Sequence, residues 1–182
     1  MHIDSWLPKY DFKESYSTRI ASSPETVFKA MREADLTRSG LIKILFGLRG
    51  LSFSWKSRSL RLTDMTKSGF ILLQDAPPFE IVLGLVGKFW TPRGGIQRLS
   101  TEAYGEFCES GYAKVAWNFF LTPQEGSTLL FTETRIQCLG ADAKRSFSRY
   151  WKFIKPFSGL TRKEMLRIIK KVAEGSTTVW NK

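Results

Sequence analysis

Apolar positions along this chain switch between two periods, and the switches mark its elements. From Phe12 to Ile20 they alternate, with Phe12, Glu14, Tyr16, Thr18 and Ile20 on one face and Lys13, Ser15, Ser17 and Arg19 on the other, which predicts a strand. Ser23-Pro24-Glu25 follows as a helix start: a hydroxyl cap, a proline suited to the first turn, and a carboxylate at the positive helix end. That helix is expected to reach about Ala34, with Val27, Phe28 and Met31 inward. Leu41, Ile44, Leu45 and Leu48 predict a second short helix, ended by Gly47 and Gly50.

Period two returns from Leu51 to Gln97. Leu51–Ser59 carries Phe53 and Trp55 in alternation, and Leu60–Lys67 is a weaker strand pattern. Phe70–Leu73 and Glu80–Trp90 read as strands around a turn at Asp75-Ala76-Pro77-Pro78. Thr91-Pro92-Arg93-Gly94-Gly95 is a loop, and no helix bearing Gly-Lys-Ser/Thr follows it as a phosphate cradle requires. A short helical piece is expected around Ala103–Glu109. Tyr112–Pro123 and Leu129–Leu139 then predict a hairpin with a tight loop between Pro123 and Gly126. Ala113, Val115, Trp117, Phe119 and Leu121 share one face, taken as the concave one. Leu130, Thr132, Thr134, Ile136 and Cys138 share a face of the partner strand. The register expected from matching like faces sets Trp117 against Thr132 and Lys114 near Glu133, and leaves Phe120 and Phe131 outside.

Helical spacing takes over from Asp142 to Glu174. Phe147, Tyr150, Trp151 and Ile154 recur at i, i+3, i+4 and i+7, a face too aromatic for an ordinary surface helix. Pro156 and Ser158-Gly159 interrupt the pattern, and Thr161-Arg-Lys-Glu164 has the form of a capping box. A kink or two consecutive helices, Ala143–Lys155 and Arg162–Glu174, is therefore expected, with Met165, Ile169 and Val172 inward in the second. Residues 1–10 read as a loose lead-in with Trp6 against the domain, and Ser176–Lys182 as a tail.

The order strand, short helices, antiparallel strands and long C-terminal helix, with Ser23-Pro24-Glu25-Thr26-Val27-Phe28 after the first strand, resembles the helix-grip fold of the START-like (SRPBCC) superfamily. That superfamily includes polyketide cyclases, birch-pollen-allergen-type proteins and lipid-transfer domains. Glu80–Trp90, Thr132–Ile136, Arg149–Trp151 and Pro156–Gly159 are similar to a little-characterised bacterial branch of it. The resemblance spans about residues 12–174. It implies one α+β domain over residues 1–182, a curved antiparallel sheet around a long, kinked or broken C-terminal helix, and an apolar or amphipathic small molecule held between them. The scaffold hosts binders, transporters and enzymes, so it implies no single chemistry.

Composition adds less. With 42% hydrophobic residues, 14 Phe, 6 Trp and 5 Tyr, the 182 residues can build a sizeable core, which excludes general disorder. No apolar run spans a bilayer, no signal pattern opens the chain, and Cys108 and Cys138 suggest neither a disulfide framework nor a metal site. A reduced, cytoplasmic protein is expected. The net charge of +11 raises an anionic membrane or nucleic acid as a weak partner through Arg162, Lys163, Arg167, Lys170 and Lys171, although a charge run at helical spacing usually marks a solvated face.

His2 is the only histidine, which excludes His-based triads and His metal sites; neither metal nor cofactor is expected. Cys138 reads as a packed thiol. Glu133 and Arg135 share a strand face and read first as an exposed cross-strand pair worth little, and they could form an acid–base pair of the cyclase or dehydratase kind if that face is inward, with Tyr150 assisting. The primary expectation is a ligand cavity with Phe89, Trp117 and Phe119 on the sheet side. Phe147, Tyr150, Trp151 and Ile154 form its helix side, and Thr132 and Thr134 supply polar contacts.

Overall fold

The structure is a computed structural model and describes residues 1–36, 39 and 61–177. The expected second short helix at Leu41–Leu48 and the strand at Leu51–Ser59 lie outside the described residues.

Alternation along the chain builds one antiparallel sheet. Its strands are β1 (Phe12–Ile20), β2 (Ile71–Ala76), β3 (Glu80–Gly87), β4 (Tyr112–Gln124) and β5 (Ser127–Leu139), in spatial order β1-β5-β4-β3-β2. The helices are α1 (Ile3–Trp6), α2 (Pro24–Glu33), α3 (Thr101–Glu106) and α4 (Ala141–Thr177), with a 3-10 helix at Leu62–Ser68. The protein is α+β: among the described residues, an open sheet of five strands packs against a long C-terminal helix, with α2 directly after the first strand. At the start of α2, the Thr26 N–H donates to the Ser23 hydroxyl at 3.4 Å and Pro24 occupies the first turn, as the sequence predicts.

Two layers of core follow from the pleat. On the inner face, Ile81, Leu83, Trp117, Phe119, Leu121 and Leu130 pack with α2 and with Met165, Leu166 and Ile169 of α4. Nearer the start of α4, Phe147, Trp151 and Ile154 pack against Ala113 and Ile136. The outer face is covered too: Ile3, Leu7 and Tyr104 bury Val82, Val86 and Ala116. Residues 1–10 are therefore not a loose lead-in. Ile3 and Leu7 give an apolar side to one helical turn, and Asp4 ties that turn to Arg135 on the sheet.

Several expectations are corrected. The weak strand at Leu60–Lys67 is the 3-10 helix Leu62–Ser68: the Arg61 N–H donates to the Asp64 carboxylate at 3.3 Å, and Gly69 ends the turn at φ 94°. Strand β3 stops at Gly87, short of Trp90. The hairpin strands pair as far as Gln124 and Ser127, leaving Glu125-Gly126 as the turn, with Gly126 at φ 64°. Consequently Trp117 faces Thr134 and Phe119 faces Thr132, while Lys114 pairs with Gln137. That shift of two residues keeps every side chain on its expected face.

Of the two arrangements expected at Pro156, the break into two helices is corrected: the C-terminal helix is continuous through Pro156. Thr161 does not cap a new helix; its hydroxyl donates to the Phe157 carbonyl at 2.8 Å, inside the same helix. Gly159 is not a break either. A Cβ there would collide with the Tyr16 hydroxyl, so glycine permits the close approach of β1 to α4. Because the phase carries through, Phe147, Trp151, Ile154, Ser158, Thr161, Arg162, Met165 and Ile169 form one inward stripe, apolar at both ends and polar in the middle.

Candidate functional site

A cavity of about 390 Å³ lies between the inner sheet face and α4. Its walls draw on both inner clusters. Trp117 and Met165 come from one, and Ile136, Phe147 and Trp151 from the other. Phe147 stacks with Trp151 at 5.6 Å between centroids, and Phe70 meets Trp117 edge-on at 6.1 Å. Leu85, Phe89 and Val115 extend the apolar floor. This is the chemistry of a small-molecule pocket, apolar walls with a few placed polar groups.

The polar groups sit in one row across the sheet. Glu14, Thr134, Trp117 and Leu83 pair successively on β1, β5, β4 and β3. Arg162 descends on this row from α4. Its Nη2 donates to the Thr134 hydroxyl at 2.8 Å, and its guanidinium carbon lies 3.7 Å from the centroid of the Trp117 ring. Only 8% of Arg162 is exposed, and in such a desolvated setting a cation over an indole is worth about 2 kcal/mol. Ser158 and Thr161 add hydroxyls to the same wall.

Glu14 ends this row on β1, outside the cavity wall. It is 7% exposed, and both carboxylate oxygens lack a hydrogen-bond partner among the described residues. Two strand positions away, the Tyr16 hydroxyl is pushed above its ordinary pKa, first by burial and then by the Glu14 charge, with Arg162 opposing.

A loop closes the end of the cavity next to β3. The Lys88 N–H donates to the Gly94 carbonyl at 2.6 Å, and Gln97 bridges to Val86, folding residues 88–97 back on the strand. Gly87 permits this, since a Cβ there would stand 2.8 Å from the Gly94 carbonyl oxygen. Thr91, Arg93, Gly94, Ile96 and Arg98 thereby join the wall.

The residues expected at a ligand site divide. Phe89, Trp117, Thr134, Phe147, Tyr150 and Trp151 line the cavity. Phe119, Thr132 and Ile154 do not. Phe119 packs in the core at 4.8 Å from Trp117, and Ile154 is buried in the cluster at the start of α4. Thr132 is occupied: it accepts from Trp117 Nε1 at 2.8 Å and donates to the Asn118 carbonyl at 2.7 Å. It therefore fixes the Trp117 ring from beneath.

Glu133 and Arg135 are on the other side of the sheet. Arg135 Nε donates to Glu133 at 2.6 Å, Nη1 to the Leu7 carbonyl and Nη2 to Asp4, while Lys13 closes on Glu133 at 2.8 Å. The pair anchors the N-terminal turn and does not face the cavity, so the acid–base arrangement required there by a cyclase-type mechanism is not formed by these two residues. Tyr150 lines the cavity without them. Cys138 lies half-buried at the edge of a core cluster. Burial, followed by the Asp11 charge, pushes its thiol up to about 12, which removes the thiolate a nucleophile needs.

The residues that sequence reasoning missed are Arg162, Glu14 and the Arg93–Arg98 loop. The charge pattern places Arg162 on the solvated basic face, and the structure buries it in the cavity wall instead. A signal for it existed in the unbroken helical phase from Ile154 to Met165.

No family model and no curated protein matches the chain. Among solved structures, TTHA0849 from Thermus thermophilus is similar at a TM-score of 0.39 and 9% identity, covering 91% of this chain and 99% of that one. CalU16 from Micromonospora echinospora is similar at a TM-score of 0.32 and 14% identity, covering 92% of this chain and 87% of that one. Likenesses of this size say nothing about family or activity.

Proposed function

We propose that this protein binds an apolar or amphipathic small molecule between its sheet and C-terminal helix, as START-like helix-grip proteins do. The observation that carries the reading is the cavity of about 390 Å³, walled by aromatic residues from both layers. That volume lies in the range of ligand pockets, and well-packed cores rarely leave gaps of this size. Screening fatty acids, sterols, flavonoids and polyketides by thermal shift and Trp fluorescence tests it. At least one class is expected to raise Tm and perturb emission together; no response to any class contradicts the reading.

A second reading has its own observation. On the outer side of α4, Phe153, Phe157 and Leu160 recur at i, i+4 and i+7 and are exposed, Phe153 by 80%. Arg149, Lys152 and Lys163 flank them and are exposed as well. An apolar stripe between cations is the form of a helix that rests on an anionic lipid surface. In this reading Arg162 takes no part, and Lys170 and Arg167 are engaged with Glu174 and Glu164. Co-sedimentation with phosphatidylglycerol vesicles but not phosphatidylcholine vesicles, reduced by Phe153→Ser, is the expected result. Equal or absent binding to the two, or a gel shift of nucleic acid that Phe153→Ser leaves unchanged, contradicts it.

A further inference from the structure

Resting on the small-molecule reading, we infer that the ligand is an amphipathic anion, an apolar body with one oxyanion headgroup, and that the headgroup meets the guanidinium of Arg162. The sign of the cavity wall carries this inference. Lys67, Arg93, Arg98 and Arg162 contribute to it, and none of its described lining residues is Asp or Glu. Lys67 is balanced by Asp64 at 2.8 Å. Arg93 and Arg98 are exposed and sit on the loop; Arg162 is buried among apolar side chains.

This arrangement separates two jobs. Exposed arginines on the loop attract an anion from solution, an effect that salt screens. The buried arginine receives it where few water molecules compete. A guanidinium presents donors in a rigid plane that matches a carboxylate or sulfonate, and such charge-assisted hydrogen bonds are about twice as strong as neutral ones. The plane is held from two sides, by the Thr134 hydroxyl and by the Trp117 ring, which Thr132 fixes in turn. The apolar walls formed by Phe70, Phe89, Phe147 and Trp151 take the remainder of the molecule. A cationic ligand would meet like charge throughout this wall. Glu14, on the neighbouring strand, is outside it.

Two probes of one skeleton test the inference: 1-anilinonaphthalene-8-sulfonate, which carries the anion, and N-phenyl-1-naphthylamine, which lacks it. Both are titrated by fluorescence into the full chain and into Arg162→Met and Arg162→Lys, each variant first checked for an intact thermal transition. Arg162→Met is expected to lower the sulfonate's affinity relative to that of the neutral amine by about tenfold or more, the worth of one charge-assisted hydrogen bond. Arg162→Lys keeps the charge and is expected to fall between the two. If the sulfonate binds Arg162→Met as it binds the unaltered chain, the anion inference is overturned and the cavity reading survives. If neither probe binds the unaltered chain, the cavity reading itself fails and takes the inference with it.

Discussion

The guanidinium carbon of Arg162 lies 3.7 Å from the centroid of the Trp117 ring, joining the middle of the C-terminal helix to the centre of the sheet. Thr134 completes this contact by accepting from Arg162 at 2.8 Å. Thr134→Val keeps the shape of the side chain and removes the acceptor. It is expected to cost about 1.5–3 kcal/mol in urea unfolding, the range for a hydrogen bond to a charged group. A stability equal to that of the unaltered chain contradicts the arrangement.

Glu14 gives the opposite expectation. A buried carboxyl group with neither oxygen hydrogen-bonded among the described residues is a cost to folding. Glu14→Met has similar volume and no polar atom, and is expected to stabilise the protein by about 1–3 kcal/mol. A lowered Tm would mean that the carboxyl group is engaged by a compensating partner.

Pro156 lies inside a continuous helix, where it removes one backbone donor and crowds the preceding turn. Pro156→Ala is expected to raise stability, by up to about 3 kcal/mol. If the chain broke at Pro156, alanine there would be neutral or harmful, so chemical denaturation of this variant tests helix continuity.

The N-terminal turn is expected to respond to acid. The hydrogen bond from Arg135 to the Asp4 carboxylate holds its pKa below the ordinary 3.8. A depressed carboxylate contributes stability that is complete above pH 3.8 and is lost as pH falls through the lower folded value. Asp4 is largely exposed, so the effect is modest and screened by salt. Hydrogen exchange at Ile3–Leu7 is expected to accelerate below that pH before the sheet opens. Asp4→Asn is expected to remove the pH dependence.

Much of the fold was legible because both periods are clear. Alternation put Trp117 and Thr134 on the inner face and grouped Glu14 with Tyr16 on one face of β1, and the structure keeps both groupings. Six residues of the cavity wall, Phe89, Trp117, Thr134, Phe147, Tyr150 and Trp151, followed from the two periods. The rest depended on competition between local signals and packing. Thr161 and Glu164 match a capping box, yet Glu164 pairs with Arg167 and accepts from Ser39, and Thr161 bonds within the helix. Packing of Ile154, Met165 and Ile169 on the sheet outweighed the proline, the phase ran on, and Arg162 turned inward. The Thr91–Arg98 part of the wall was illegible for another reason. Its place depends on how residues 88–97 fold against Gly87 and Val86, which no local period records. The N-terminal turn was missed because its partners, Arg135 and Tyr104, are far along the chain.

Filling the cavity tests the central claim most directly. Val115 lines its floor, and Val115→Phe would narrow the space without adding charge. Titration with N-phenyl-1-naphthylamine is expected to show one site per chain in the unaltered protein and weaker binding in Val115→Phe, with the variant still unfolding in a single cooperative transition. Equal affinity and stoichiometry in the folded variant would place binding elsewhere and contradict the account.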